Sequence, residues 1–399
     1  MNDAMAGSHL RTVRVGIIGL GMAGGGMVPA IVSHPGIELA GAADLDGVLR
    51  DRFARDYGCD VDCSAAELVR RPDIDAVYIA TPHQFHRDHA ILAAQHGKHV
   101  VVEKPMALSL DDCDAMIAAP RQAGTVLIVG HTHSFDPAIR AMRDIIRSGD
   151  LGRVSMISMI NYTDFIYRPR RPEELDTSKG GGILFNQIPH QVDIARLLAR
   201  APLRSVRAMT DILDQSRPTE GCCMAMLHFA DGSAASLVYS GYDRFDTDEL
   251  HHWIGEGGQP KTARHGETRE ALRALHDGER QARSELYGYG GARSPAQATN
   301  APRRQPHFGM LVVTCERGDM RQSADGILIY SDAGVREHRL PQGRSVPGRG
   351  DVLDELYDAV VGGIAPVHDG AFGRGTVEAC LAIHASAREG REIELSPLR

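Results

Sequence analysis

Lys104 is the residue in this chain best placed, by type and by neighbours, to do chemistry. It lies in Glu103-Lys104-Pro105, directly after the apolar run Val100 to Val102. That run reads as a buried parallel strand, and the carboxyl ends of parallel strands form the ligand crevice of an open α/β sheet. A lysine there can exchange a proton with a substrate once burial lowers its pKa. On an outer helix it would serve only solubility. Glu103 would raise that pKa if it faced the amine, so it is expected to turn toward a cofactor ribose or a backbone group. Alone, a charged loop after a strand is the commoner meaning of these three residues. The surrounding elements decide.

The first of those elements is Gly19-Leu20-Gly21-Met22-Ala23-Gly24, between the strand pattern Arg14 to Leu20 and the helix pattern Met27 to Ser33. Gly19 permits the tight turn and Gly21 lets the backbone approach a pyrophosphate. Gly24 lets helix and strand pack closely, and Met22 and Ala23 sit at the helix N-terminus where phosphates bind. A second strand, Ile37 to Ala43, ends at Asp44, twenty residues after Gly24. A carboxylate there accepts from both ribose hydroxyls and repels a 2′-phosphate, which favours NAD over NADP. Ala76 to Ala80 form a further strand that runs into Thr81-Pro82-His83. His83 or His86 is expected near the cofactor, with His89 on a helix surface. No cysteine or carboxylate closes a ligand set around these histidines, so no metal is expected. With Val126 to Gly130, the strand–helix alternation predicts a doubly wound parallel Rossmann sheet ending near His131.

The second half reads differently. After Gly180-Gly181-Gly182 the pattern predicts one helix over Ile183 to Leu198, with Asn186 and His190 on one face and Asp193 beyond. Val154 to Tyr162, Val206 to Ile212, Cys222 to Phe229, Ser233 to Ser240, Met310 to Cys315, Asp319 to Gln322 and Ile327 to Tyr330 read as strands joined by short turns. They predict an α+β domain with an open-faced, mostly antiparallel sheet. One face would be covered by helices and the other by a partner subunit in a homodimer or homotetramer. The expected domains are 11–132 and 133–399, with an insertion at about 254–307 that holds a helix over Glu267 to Leu286 and lies at an interface or over the site. Two last helices, Val352 to Val360 and Gly375 to Glu389, are expected to pack back on the first domain.

The chain's 399 residues can bury a sizeable core, and a net charge of −8 argues against general binding to nucleic acid or anionic membranes. No apolar run spans a bilayer, and Met1 to Leu10 lack the pattern of a secretory signal. Seven scattered cysteines without a CxxC fit reduced thiols and a cytoplasmic location.

Together, Gly19 to Gly24, Asp44, Ala80-Thr81-Pro82, Glu103-Lys104-Pro105, the triple glycine with His190 and Asp193, and Asp369-Gly370 resemble the Gfo/Idh/MocA oxidoreductase family. The resemblance covers nearly the whole chain apart from the insertion. It implies a Rossmann domain followed by an open-faced sheet domain, an NAD or NADP cofactor, frequent oligomers, Lys104 as the acid–base group and His190 as the second-domain histidine. There are two departures. Asn186 stands where the family often has aspartate, and asparagine cannot carry a proton. Thr132-His133-Ser134-Phe135 stands where the family has Asn-Arg-Arg-Phe.

The stretch Tyr167-Arg168-Pro169-Arg170-Arg171-Pro172 and the insertion after His251-His252-Trp253 are similar to the branch of that family that oxidises a phthalate-derived cis-dihydrodiol. This implies NAD-dependent oxidation of a dicarboxylate diol to an aromatic diol, in aromatic catabolism. Arg168, Arg170 and Arg171 would bind the carboxylates through paired hydrogen bonds. By residue type alone they read first as a solvated basic loop. Lys104 would take the hydroxyl proton, His190 would hold the second hydroxyl or pass the proton on, and Asn186 would orient the substrate. A sugar or inositol dehydrogenase, an NAD-dependent glycoside hydrolase and a non-catalytic dinucleotide-binding regulator are the rival functions.

Overall fold

The computed structural model describes residues 11–130, 132–263, 265–276, 278–287, 289–291, 303–341 and 348–395. The expectation for Met1 to Leu10 and the centre of the insertion, 292–302, lie outside them.

Short apolar strands alternate with helices through the first third: β1 (Val13–Ile18), α1 (Met22–Ser33), β2 (Ile37–Ala43), α2 (Gly47–Tyr57), β3 (Val61–Asp62), α3 (Ala65–Arg70), β4 (Ala76–Ile79), α4 (His86–Gln95), β5 (His99–Glu103), α5 (Leu110–Ala123) and β6 (Leu127–Gly130). β1, β4 and β5 are buried almost residue by residue, as strands covered by helices on both faces must be. All pairings are parallel, in the order β3-β2-β1-β4-β5-β6. The order reverses between β1 and β4, which opens a crevice at the carboxyl edge. Capping sets the helix ends. The Asp46 carboxylate accepts from the Val48 and Leu49 N–H groups at the start of α2, and Gly58 ends that helix in the left-handed region. β3 and α3, of two and six residues, were not expected, because pieces so short carry no readable periodicity.

The rest of the chain forms α6 (Pro137–Ser148), β7 (Val154–Tyr162), α7 (Gly182–Asn186), α8 (Ile188–Ala199), β8 (Leu203–Asp211), β9 (Cys222–Phe229), β10 (Ala234–Ser240), α9 (Glu267–Ala274), α10 (Glu279–Tyr287), β11 (Met310–Cys315), β12 (Gly318–Ser323), β13 (Gly326–Ser331), β14 (Gly334–Arg339), α11 (Arg349–Gly362), α12 (Gly370–Glu389) and β15 (Ile393–Glu394). Nine strands pair in the order β14-β13-β12-β11-β7-β10-β9-β8-β15. β7 and β10 run parallel and the other pairs antiparallel. One face is buried: Ile157, Met159, Leu227 and Leu237 share a core with Val192 of α8 and Ile383 of α12. The other exposes Met156, Ile160, Met209, Met224 and Met226. α11 packs on α1, while α12 lies against α5 and β8 and ties the two sheets together.

Three expectations need correction. The helix over Ile183 to Leu198 is broken at Gln187. Pro189 has no N–H to give the carbonyl four residues back and its ring crowds that carbonyl, so the helix stops and restarts with proline in its first turn. The helix of the insertion is two helices, α9 and α10. β14 was missed because its exposed Val-Arg-Glu-His-Arg has no apolar alternation. No helix among the described residues is long and apolar enough to cross a membrane.

Candidate active site

A cleft of about 1520 Å³ runs from the turn after β1 to α8 and the insertion. Its first-domain end is a dinucleotide cradle. Gly19, Gly21, Met22, Ala23 and Asp44 line it. Nothing lies within 4 Å of a Cβ built on Gly21, so the backbone is open to a ligand there. Gly24 does not line the cleft. A Cβ on it would fall 1.9 Å from the Gly19 carbonyl oxygen, so its role is the close packing of α1 on β1. The Asp44 carboxylate accepts from the Leu20 N–H (2.7 Å) and the Asp46 N–H (2.8 Å), which fixes it at the end of β2. The residues present fit a dinucleotide with a free ribose.

Of the histidines on the next loop, His83 lines the cleft and His86 does not. His86 is fully buried between the carbonyls of Thr81 (2.8 Å) and Pro105 (3.0 Å). It braces the loops after β4 and β5, and the expectation that it touches the cofactor is withdrawn. His89, expected on the surface, also lines the cleft, where its Nδ1 lies 3.1 Å from Thr81 Oγ1. Burial, with His86 and Lys104 nearby, pushes the His83 imidazole down to about 3, so it is neutral. Gly180 makes room for it: a Cβ there would lie 2.8 Å from His83 Nδ1, and its φ of +82° is in the left-handed region.

Lys104 sits in the cleft with its Nζ donating to the Asn186 backbone carbonyl (2.8 Å). That carbonyl is available because of the helix break. In an unbroken helix it would accept the His190 N–H, which goes to Gln187 O instead (3.1 Å). Burial lowers Lys104 to about 8; Glu103 opposes the shift, and Arg170 and Arg349 add to it. The Glu103 side chain accepts from the Tyr78 hydroxyl and from the Lys104 backbone N–H (3.2 Å). It therefore takes the backbone alternative foreseen for it. Burial, with Glu103 alongside, raises Tyr78 well above its usual range, so the phenol stays protonated.

The second domain adds Asn186, His190 and the arginines. Asn186 gives both amide hydrogens to the carbonyls of Gly180 (3.0 Å) and Gly182 (2.8 Å), leaving only Oδ1 for a ligand. The His190 ring packs on Phe308 and edge-on against His133. Asp193, one turn on, is buried, which pushes it up to about 6 against the pull of His368, Ser134 and Thr376.

Arg168, Arg170 and Arg171 all line the cleft. Arg168 is held through Nε by Asp164 (2.7 Å). Buried Arg170 donates to Phe165 O (2.9 Å) and lies over the Phe165 ring. Arg171 meets Glu174 (3.3 Å). The solvated-loop reading therefore fails for Arg168 and Arg170.

Sequence reasoning expected the insertion at an interface or over the site but named none of its cleft residues. Arg280, Arg283 and Tyr287 of α10 line the cleft, and Arg283 pairs with Glu174 (3.0 Å). Their periodicity gave no hint, since exposed arginines on a polar helix have no distinguishing signal. Tyr289 then packs on Phe53 and Tyr57 of α2, so the insertion bridges the two domains over the cleft. Arg349 lines the cleft too, with a buried Nε that has no hydrogen-bond partner among the described residues. Among those residues, no cluster of three or more His, Cys, Asp or Glu could hold a metal.

Comparison with known proteins fits this geometry. Residues 13–131 match the model of an oxidoreductase family with an NAD-binding Rossmann fold, GFO_IDH_MocA, and 139–259 match the GFO/IDH/MocA C-terminal domain. The chain is 40% identical over 392 residues, 97% of each chain, to a 1-carboxy-3-chloro-3,4-dihydroxycyclohexa-1,5-diene dehydrogenase of Comamonas testosteroni. The chain belongs to the GFO/IDH/MocA family. It is an NAD-dependent oxidoreductase of the dehydrogenase type. A proposed dehydrogenase of Bordetella bronchiseptica RB50 is 48% identical with a TM-score of 0.92, over 96% of this chain and all of that one. The scyllo-inositol 2-dehydrogenase (NAD(+)) of Bacillus subtilis strain 168 is 33% identical over 51% of this chain and 58% of its own.

Proposed function

We propose that the protein oxidises a carboxylated cis-dihydrodiol of a cyclohexadiene ring to the aromatic diol, and that a phthalate-derived dicarboxylate is its substrate. The observation that carries this is Arg168. Asp164 fixes it through Nε, while Nη1 and Nη2 have no hydrogen-bond partner among the described residues, in the same cleft as Lys104 and His190. A guanidinium held this way offers a paired donor fork to a carboxylate. The Comamonas relative, whose name describes a ring with one carboxylate, supports the substrate class. A second carboxylate is favoured by the clustered cations: Arg170, Arg171 and Arg283 converge on Glu174, and among the described residues half-exposed Glu173 is the one other carboxylate paired with any of their side chains. Neutral hydroxyls alone, as on inositol, would leave that clustered charge unmet.

NAD, when bound, supplies the nicotinamide that takes up the hydride. Lys104 takes the hydroxyl proton as the carbonyl forms. With a pKa of about 8, roughly a tenth of it is neutral at pH 7, enough for a base. His190 holds the second hydroxyl, and the Asn186 Oδ1 accepts from the substrate. We further propose that a second copy of the chain covers the outer sheet face, whose exposed methionines and Ile160 form an apolar surface.

The test is NADH formation with the dicarboxylate diol, its monocarboxylate analogue, inositol and glucose. Turnover confined to the carboxylated diols is expected. Turnover on inositol or glucose and none on the diols would overturn the assignment.

A further inference from the structure

His133 and Asp136 have no part in the reaction as described so far, yet both line the cleft. β5 and β6 are neighbours, with Glu103 paired to Gly130. Lys104 and His133 therefore leave the sheet side by side. His133 Nδ1 lies 3.1 Å from Asp136 Oδ2. Asp136 stands at the N-cap of α6, where an aspartate ordinarily turns its carboxylate onto the backbone N–H groups of its own helix. Here it makes no such bond and faces His133 instead. It is 2% exposed, so its carboxylate has been taken out of water for this contact. On its far side the His133 ring packs edge-on against His190, with centroids 4.7 Å apart and planes at 84°. Phe308 lies against both rings.

We propose that His133 and Asp136 form a positioning dyad that keeps His190 neutral, and so able to accept a hydrogen bond or a proton from the diol. The inference rests on the dehydrogenase reading for its chemistry. Its physics is independent. Two imidazoles this close cannot both be charged without repulsion, so they titrate as a pair that takes up one proton first. A carboxylate beside one ring decides where that proton goes. Asp136 draws it to His133, whose Nδ1–H then points at the carboxylate. Burial raises Asp136 and His133 pulls it back, as a partner of an imidazolium requires. Among the described residues, the other charged or titratable groups facing the dyad are Asp351 of α11, itself held by Arg140, Glu256 of the insertion, His307 beside Phe308, and Lys104, which leaves the sheet next to His133 and opposes a charge there. Asp351 and Glu256 add negative charge near Asp136 and reinforce the same choice.

The experiment is an NMR titration of the imidazoles in the full chain, for wild type, His133→Asn and Asp136→Asn, alongside the pH profile of kcat/KM. In wild type the two rings titrate as a coupled pair, in two steps. In His133→Asn the protonation of His190 moves up by about one pH unit or more, as the loss of a like charge at this distance demands. A second acid limb of the profile, below the one that Lys104 sets, moves with it. In Asp136→Asn, which leaves both rings in place, the first protonation moves down by a similar amount and is shared between the rings. A His190 titration unchanged in both variants overturns the proposal. If wild type turns over none of the carboxylated diols, the substrate reading fails, while the coupled titration, which needs no substrate, still decides the dyad.

Discussion

Replacing Lys104 with methionine separates two consequences of one buried amine. The ammonium has a pKa of about 8 in the fold against 10.5 for a free lysine. That difference corresponds to about 3 kcal/mol of folding stability forgone while the group is charged. The sign follows from linkage. Below pH 8 folded and unfolded chains both carry the proton, and only the folded one carries it at a cost. Between pH 8 and 10.5 the folded chain releases the proton first and the cost disappears. Methionine has similar length and no charge, but forfeits the hydrogen bond to the Asn186 carbonyl, about 1 kcal/mol. Lys104→Met should therefore be more stable than wild type by about 2 kcal/mol at neutral pH, and this advantage should shrink by about 2 kcal/mol toward about pH 9.5. NADH formation should fall by at least about a hundredfold, the usual contribution of a positioned base. In wild type the rate should rise about tenfold from pH 7 to a plateau above pH 8, as the neutral amine becomes the major form. Urea unfolding of both proteins at the two pH values, with the rate profile, tests this. A variant that is less stable at neutral pH, or one that turns over normally, refutes the reasoning.

Other perturbations address other parts of the site. Arg168→Met should raise KM for a carboxylated diol by about ten- to a hundredfold with kcat changed only a few-fold, because hydrogen bonds to a charged group are worth about 1.5–3 kcal/mol; steady-state kinetics read this directly. Gly24→Ala places a Cβ 1.9 Å from the Gly19 carbonyl oxygen, so NAD affinity measured calorimetrically should fall at least about tenfold as α1 moves off β1. Met224→Lys with Met226→Lys, two exposed positions on β9, should convert an oligomer to monomer in sedimentation velocity while leaving thermal stability nearly unchanged.

The Rossmann sheet was legible because its signals are local. A buried strand, a glycine turn and a terminal acid follow one another within a short span, and Asp44 is held by the Leu20 N–H at the turn itself. The antiparallel strands were legible by alternation, apart from the two edges of the sheet, exposed β14 and two-residue β15. What could not be read depends on contacts between distant parts of the chain. Nothing near His86 in sequence says that it will be clamped by Pro105, nineteen residues away. Arg283 reaches Glu174 across 109 residues, and no periodicity encodes that. The arginine loop was ambiguous for the same reason. Whether Arg170 is solvated or buried depends on Phe165 and on α10, which folds over it.

One missed signal was in plain sight. Pro189 in the middle of a run read as one helix pointed to the break, although Pro29 inside α1 and Pro120 inside α5 interrupt neither helix. The break has a chemical result that a continuous helix would deny. A helix interior uses each carbonyl for the N–H four residues on, so residue 186 would have nothing to offer a neighbour. By ending α7 at Asn186, the chain presents a backbone acceptor at the floor of the cleft, and Lys104 from the other domain takes it at 2.8 Å. A carbonyl carries no net charge, so it fixes the direction of the amine without restoring the high pKa that a carboxylate partner would give. Aspartate at 186 would put a carboxylate close to Lys104. Asparagine gives its amide hydrogens to Gly180 and Gly182 and tightens the turn. The residue that departs from the family pattern is thus compatible with a lysine base that is low in pKa and fixed in direction. The proton-handling capacity absent from position 186 is the one we propose for His190 with its neighbour His133.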